Sequence, residues 1–331
     1  MKPRIPIVPA SFFGMVLGLV GFGGSWRVAH EVWGLPAIVG ETLMLAGGGV
    51  WAILIVLFVA KWLVAADEAR AEAGHPVQCC FIGLAGVATM LVAIAVHPYT
   101  PPVALALFTV GSAFTLGFAL WRTGGLWQGG RDPAAATPVL YLPTVAGSYV
   151  TAIACATLGF PEWGKLAFGA GVLSWLAIES VLVHRLYTAP AMPVPLRPTL
   201  GIQLAPPTVG AAAYASVTSG PPDLVVYGLI GYGLMQILIL ARLSRWIFAG
   251  GVAASAWSFS FGLTALATAM VKLAGRSDGG PIAVLAPPVF ALVTAALALL
   301  MARTIWLLAT GRLLPAAPAA PPAVTPPPVH A

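Results

Sequence analysis

Ionisable side chains are scarce in this sequence. Asp, Glu, Lys and Arg make up 8% of its 331 residues, against roughly a quarter of a soluble domain, too few to cover a soluble globule of this length. Histidine is rarer still, at five residues, and there is no HExxH run, no Ser, His and acid arrangement and no phosphate-cradling glycine loop. The usual carriers of hydrolytic, nucleophilic and phosphoryl chemistry are therefore missing, and no enzyme, metal or cofactor is implied. Of the three cysteines, Cys79 and Cys80 are adjacent and Cys155 lies in a separate apolar run, which excludes a disulfide framework or metal-ligand spacing and leaves packing roles.

Apolar residues are abundant, at 59%. A membrane-spanning helix needs about 20 mostly apolar residues, so a chain of this size with short loops holds about ten in one domain. The predicted spans are 9–25, 36–64, 77–96, 103–121, 139–158, 163–183, 200–217, 224–243, 253–273 and 282–308. The fold class expected is an all-α polytopic membrane protein, with residues 1–312 as one transmembrane domain and 313–331, rich in Pro and Ala, as a disordered tail. Lys2 and Arg4 before the first run imitate a signal peptide, but the run is long and no A-x-A-like site follows, so it reads as an uncleaved first helix.

A net charge of +6 suggests a nucleic-acid partner until the basic residues are placed. Lys2, Arg4, Lys61, Arg70, Arg122, Arg131, Arg185, Arg197, Arg242, Arg245, Arg303 and Arg312 fall at one end of the predicted bundle. Arg27, Lys165, Lys272 and Arg276 fall at the other. This segregation orients a membrane protein with both termini in the cytoplasm and implies the lipid bilayer, not nucleic acid, as the partner.

The odd-numbered spans carry stripes of small residues. At about 100° per residue, Ser11, Gly14, Gly18, Gly21 and Ser25 share a face of the first span, and Thr144, Gly147, Ser148, Thr151 and Cys155 share one of the fifth. Gly201, Thr208, Ala211, Ala212 and Ala215 do so on the seventh. Cys79, Gly83, Gly86 and Met90 form a weaker stripe on the third. On the ninth, Ser258, Phe261, Thr264, Ala265 and Thr268 lie opposite Phe259, Leu263, Leu266 and Met270. Even-numbered spans are bulkier. A small-residue stripe serves either close helix packing or the wall of a narrow path; its alternation suggests five hairpins, with an inner ring of five odd-numbered helices around a central pore. Pro143, Pro206, Pro207 and Gly262 are expected bends in the inner helices. Phe261 is either a knob between small residues or a plug in that path.

Particular stretches carry a family resemblance: Leu126-Trp127-Gln128-Gly129-Gly130, Tyr141-Leu142-Pro143, Phe168-Gly169-Ala170-Gly171 with Glu179, Gly201 through Pro206, and Trp257 through Leu263. Together they resemble the tellurite-resistance/dicarboxylate transporter family, which includes bacterial TehA-type channels, fungal malate permeases and the slow anion channels of plant guard cells. The resemblance implies a homotrimer with one pore per subunit, closed by a phenylalanine on the ninth helix, a position that Phe261 matches. Gly262 stands where plant relatives have proline, and Pro207 doubles the seventh-helix proline. The expected function is a channel for small monovalent anions in the inner (plasma) membrane, its wall offering hydroxyls and backbone dipoles instead of fixed charge. The alternative is a secondary transporter of C4-dicarboxylates such as malate, or an exporter of tellurite and other toxic oxyanions. Glu41 and Glu179 lie inside predicted spans, Glu179 near His184 and Arg185, so an ion pair or interfacial position is the expectation for it, with proton coupling as the competing role. Lys272 and Arg276 end the ninth helix as interfacial anchors or as attractors of anions.

Overall fold

The computed structural model describes residues 6–130 and 132–314. Lys2, Arg4, Arg131 and residues 315–331, most of the predicted tail, lie outside the described residues. The helices are α1 (Phe13–Trp33), α2 (Ala37–Val64), α3 (Ala66–Gly74), α4 (Leu84–Val96), α5 (Pro101–Trp127), α6 (Gly147–Thr157), α7 (Pro161–Thr188), α8 (Ala205–Val217), α9 (Leu224–Ile247), α10 (Ser260–Ala274) and α11 (Pro281–Ala309). Among the described residues, nine helical segments are long and apolar enough to cross a membrane. The remaining predicted span, the seventh, is built differently: a 3-10 stretch, Val194–Leu204, leads into the 13-residue α8. Pro193, Pro195, Pro198, Pro206 and Pro207 explain this, since proline lacks the amide that an α-helix donates to the carbonyl four residues back.

Burial separates two layers. In the most apolar stretches of the first, third, fifth and ninth spans, 61% to 89% of residues are buried, against 17% to 33% in the even-numbered ones; in α8 ten of 13 residues are buried. The inner helices α1, α4, α6, α8 and α10 pack in a closed circuit, each on the next and α10 back on α1, with at most marginal packing across it. The outer helices α2, α5, α7, α9 and α11 each lie against the inner helix that precedes them and expose apolar side chains such as Leu45, Leu116, Leu173, Leu238 and Leu299. This is the expected two-layer ring of hairpins.

Every inner helix departs from α geometry at its N-terminal end. Ala10–Phe12, Gln78–Gly83, Val194–Leu204 and Ala254–Phe259 are 3-10 segments, and Leu142–Ala146 is a π-helical turn. Pro143 sits in the π turn, and Pro206 and Pro207 stand where the 3-10 stretch becomes α8, as expected of residues that interrupt the backbone ladder. Gly262 differs from expectation. It lies within regular α10, and the change of winding comes before it, at Phe259 and Ser260. A Cβ there would stand 2.9 Å from Leu204 Cγ and 3.1 Å from the Ala205 nitrogen, so Gly262 serves the close approach of α10 to α8.

Polar ties fix the layers. Arg27 Nη2 pairs with Glu41 Oε2 at 2.7 Å, and Arg27 also donates to the Ala95 carbonyl, joining α1, α2 and α4. At the other end, buried Lys61 pairs with Glu72 of α3, whose Oε1 accepts the Ala10 amide at 2.8 Å. Helix α3, outside the predicted spans, thus clasps the start of the first inner helix.

Candidate functional site, an axial cavity ending at Phe261

A cavity of about 720 Å³ opens among the N-terminal ends of the inner helices. All five contribute to its wall through their non-α segments and the first turn beyond. The inner helices run in parallel, so the wall residue furthest along each chain marks the cavity floor: Leu17, Leu84, Ala146, Ala205 and Phe261. One residue comes from each helix, and Phe261 is the aromatic one. The Phe261 ring is half-buried, and a Cβ on Gly21 across the α1–α10 contact would lie 3.4 Å from its Cδ2. Charged and titratable groups, Lys61, Glu68, Glu72, His75 and Arg312, belong to the mouth. The floor carries none.

The predicted wall residues divide into those that reach this cavity and those that pack between helices. Ser11, Gly14, Ser258 and Phe261 line it, and a Cβ on Gly14 would meet open space. Ala265 and Thr268 continue the Phe261 face of α10, four and seven residues on. The others turn away. A Cβ on Gly18 would collide with Ser260 and Trp257, and one on Gly21 would stand 2.5 Å from Thr264 Oγ1, so these glycines and Thr264 form the α1–α10 contact. Gly83, expected on the wall, faces the Phe118 ring of α5, where a Cβ would stand 2.8 Å from its Cδ1.

The fifth-span stripe is likewise a packing face. Gly147 abuts Thr115 of α5, Ser148 faces Gly171 of α7, and Thr151 reaches Met90 of α4; Thr144 is half-buried and outside the cavity wall. The wall there is instead Leu142 and Ala146, the side set opposite the small residues. On α8, Thr208 packs on Gly233 of α9, and Ala211 and Ala215, on the same side, are fully buried. Ala212 follows the face of Ala205 at helical spacing. The general reason is steric: bare backbone lets neighbouring helices approach, so small residues go where helices touch. Leu17, Leu84, Leu142, Ala146, Ile202 and Ala205 are among the wall residues that sequence reading missed. Their signal was position at the start of each inner helix, not residue size.

Glu179 is placed without a cation. Trp175 Nε1 donates to it at 2.8 Å, Gln203 Nε2 at 3.0 Å and the Tyr232 hydroxyl at 2.6 Å, and the Tyr141 hydroxyl donates as well. Arg185 instead reaches toward the Ala134 carbonyl. Of the two expectations, ion pair or interfacial position, the ion pair is absent; neutral donors from four helical segments take its place and satisfy a carboxylate that hydrocarbon would penalise. Tyr141 and Gln203 adjoin the wall residues Leu142 and Ile202, but Glu179 itself stands behind the wall.

Paired rings of inner and outer helices around an axial cavity define an all-α, multi-pass membrane protein. The chain belongs to the SLAC1 voltage-dependent anion channel family, which matches residues 8–305. It is 35% identical over 261 residues, 78% of this chain and 79% of the relative, to the Tellurite resistance protein TehA homolog of Haemophilus influenzae. It is 24% identical over 320 residues to the Guard cell S-type anion channel SLAC1 of Arabidopsis thaliana and 25% identical over 290 residues to the S-type anion channel SLAH3 of the same plant, covering 90% and 80% of this chain. The match spans about half the length of those plant relatives, 55% and 43%. Membership places the chain among anion transport proteins; the relatives' names describe channels and a resistance protein, not enzymes.

Proposed function

We propose that this chain is a channel for small monovalent anions whose path is closed where the Phe261 ring meets the other four inner helices. The observation that carries this is the cavity floor: five residues, one from each inner helix, with a single ring and no carboxylate among them. A small anion entering from the mouth passes Ser11 and Ser258 hydroxyls and then an apolar collar, which favours weak binding and ready release. Ring displacement or removal would join the cavity to the Ala265 and Thr268 face beyond.

The segregated basic residues support an inner-membrane orientation with the cavity mouth and both termini in the cytoplasm. The exposed apolar faces of the outer helices suit lipid and subunit contacts, and the proposed assembly is a homotrimer in which each subunit keeps its own path. Kinship with a tellurite-resistance protein raises the export of oxyanions, and the wider resemblance raises dicarboxylate transport. Against coupled transport stands the position of Glu179, the intramembrane carboxylate best suited to carry a proton: it lies behind the wall, held by neutral donors. The test is a reversal-potential measurement on Phe261→Ala protein in planar bilayers. Potentials that follow a chloride gradient support the channel; potentials that follow potassium, or flux that requires a proton or sodium gradient, reject it.

A further inference from the structure

We infer that Lys272 and Ser216 form a binding site for a small monovalent anion, such as chloride, at the end of the axial path opposite the cavity. The inference rests on the channel reading but on different residues. Helix α10 is packed by α1, α8 and α11, and from Thr264 to Leu273 every residue is buried except Thr268 and Lys272. Phe261, Ala265, Thr268 and Lys272 follow one another at intervals of four, three and four, which is one helical face. That strip begins on the cavity floor and ends at the ammonium group.

Helix α8 repeats the relation. Ser216 stands eleven residues beyond Ala205, the floor residue of α8, just as Lys272 stands eleven beyond Phe261. Eleven residues are about three turns and about 16 Å, so both side chains return to the axial face at one level. They meet there, with Lys272 Nζ 3.4 Å from Ser216 Oγ.

The charges around this pair are unbalanced. Arg276 lies one turn beyond Lys272, with its guanidinium donating to the Thr218 carbonyl at 3.0 Å at the end of α8. The carboxylate that bears electrostatically on Lys272 is that of exposed Glu31. Among the described residues no carboxylate forms an ion pair with Lys272 or Arg276, whereas Arg27, at the same end, is paired with Glu41. Like charges four residues apart oppose helix formation, and a half-buried ammonium with only a distant, exposed counter-charge is costly. A small anion held against the Lys272 ammonium, with the Ser216 hydroxyl turned to it from the Ala212 carbonyl that it otherwise reaches at 2.8 Å, offsets both. The site would concentrate anions at that mouth and set the order in which they are accepted.

The competing role is structural, with Lys272 capping the carbonyl end of α10. Two measurements separate them. The first is the thermal midpoint of the purified full-length protein, titrated with chloride against gluconate at constant ionic strength. Wild type should gain stability saturably with chloride, Lys272→Met should lose that dependence while matching wild type in gluconate, and Lys272→Arg should keep it. The second is chloride current in Phe261→Ala protein in phosphatidylcholine bilayers, where added Lys272→Met should lower current at low chloride on the order of tenfold and less at high chloride. Chloride dependence unchanged by Lys272→Met, or equal destabilisation by it in chloride and gluconate, overturns the site. Loss of the wild-type chloride effect when phosphatidylserine is added also overturns it, because a lipid headgroup is then the occupant. If Lys272→Met does not fold, Lys272→Gln and Ser216→Ala are read in the same way, and a wild type indifferent to chloride refutes the proposal outright. A silent Phe261→Ala protein with an intact chloride response defeats the gate and leaves the site standing; a conducting one indifferent to Lys272→Met does the reverse.

Discussion

Removing the Phe261 ring separates a packing role from a closing role because the two predict opposite results. A buried Phe→Ala change in a soluble core costs about 3 to 5 kcal/mol. The Phe261 ring is half-buried and one side of it borders the cavity, so its truncation forfeits only part of that, about 1 to 2 kcal/mol on the same scale. The protein should therefore still assemble. Along the path the ring stands in a floor whose other members, Leu17, Leu84, Ala146 and Ala205, remain in place. If the ring holds the path shut, its loss should raise anion conductance at least about a hundredfold, equivalent to about 2.7 kcal/mol removed from the barrier. The assay is macroscopic chloride current at matched protein density, with Phe259→Ala as control. Phe259 stacks on Phe248 and seats its ring over Gly201, away from the axis, so its loss should lower the thermal midpoint and leave current at the wild-type level. Phe261→Leu should fall between, since a branched side chain still fills much of the opening. Equal currents from the Phe259 and Phe261 variants, or a folded Phe261→Ala protein as silent as wild type, would refute the argument.

Three further outcomes test the surrounding architecture. Glu179→Ala removes the acceptor of Trp175 Nε1 and of the Tyr141 hydroxyl, at about 1 to 3 kcal/mol for each of these buried groups, while Gln203 keeps the Tyr141 oxygen as acceptor and exposed Tyr232 turns to solvent, so the thermal midpoint of detergent-solubilised protein should fall; Glu179→Gln, which keeps an acceptor oxygen, should lose much less, and equal losses would contradict the network. Gly86→Ala places a methyl 2.6 Å from the Gly111 carbonyl oxygen and should destabilise the α4–α5 contact by about 1 to 3 kcal/mol, whereas Gly14→Ala meets no atom within 4 Å and should leave the thermal midpoint unchanged. Asp223 caps α9 and is held below the usual carboxylate range by the Tyr214 hydroxyl and then by the Val226 amide. Its ionised form therefore contributes stability above its unfolded pKa of about 3.9, lost as pH falls through the lower native value. Asp223→Ala should cost about 1 kcal/mol at neutral pH, and a difference from wild type that failed to narrow below about pH 4 in thermal melts would exclude the charge contribution.

The two-layer architecture was legible because it follows from composition and periodicity. Outer helices must be apolar on their exposed side, so Leu105, Phe114, Leu234 and Leu238 marked them; inner helices touch protein on nearly every side and tolerate Gly, Ala, Ser and Thr. The boundaries were less legible. Residues 26–33, 122–127 and 184–188 extend three predicted helices while carrying Arg27, Arg122, His184 and Arg185, whose charges mimic loops in a hydropathy reading. In the structure Arg27 is neutralised by Glu41, and Arg122 reaches the Pro76 carbonyl. Helix α3 was also missed, because its stabilising feature is the contact of Glu72 with Lys61 and the Ala10 amide, 11 and 62 residues away. Such long-range partners leave no mark in local periodicity.

The site was harder to read because the same residue types serve two purposes. Gly, Ala, Ser and Thr suit a narrow path and also allow helices to approach, and within one helix the two uses differ only in which neighbour each residue meets. On α1 the stripe divides, with Gly14 facing open space while Gly18 and Gly21 receive Ser260 and Thr264. On α6 Gly147 and Ser148 pack on outer helices and Thr151 on the neighbouring α4, and the cavity takes Leu142 and Ala146 from the other side. Phe261 stood out for a different reason, a large ring flanked by small residues, although that alone suits a packing knob as well as a plug. Gly18 and Gly21 let α1 close upon α10 on one side of it, and Gly262 lets α8 close on the other. Gly18 and Gly21, expected on the path wall, and Gly262, expected at a bend, instead draw the helices together around that ring.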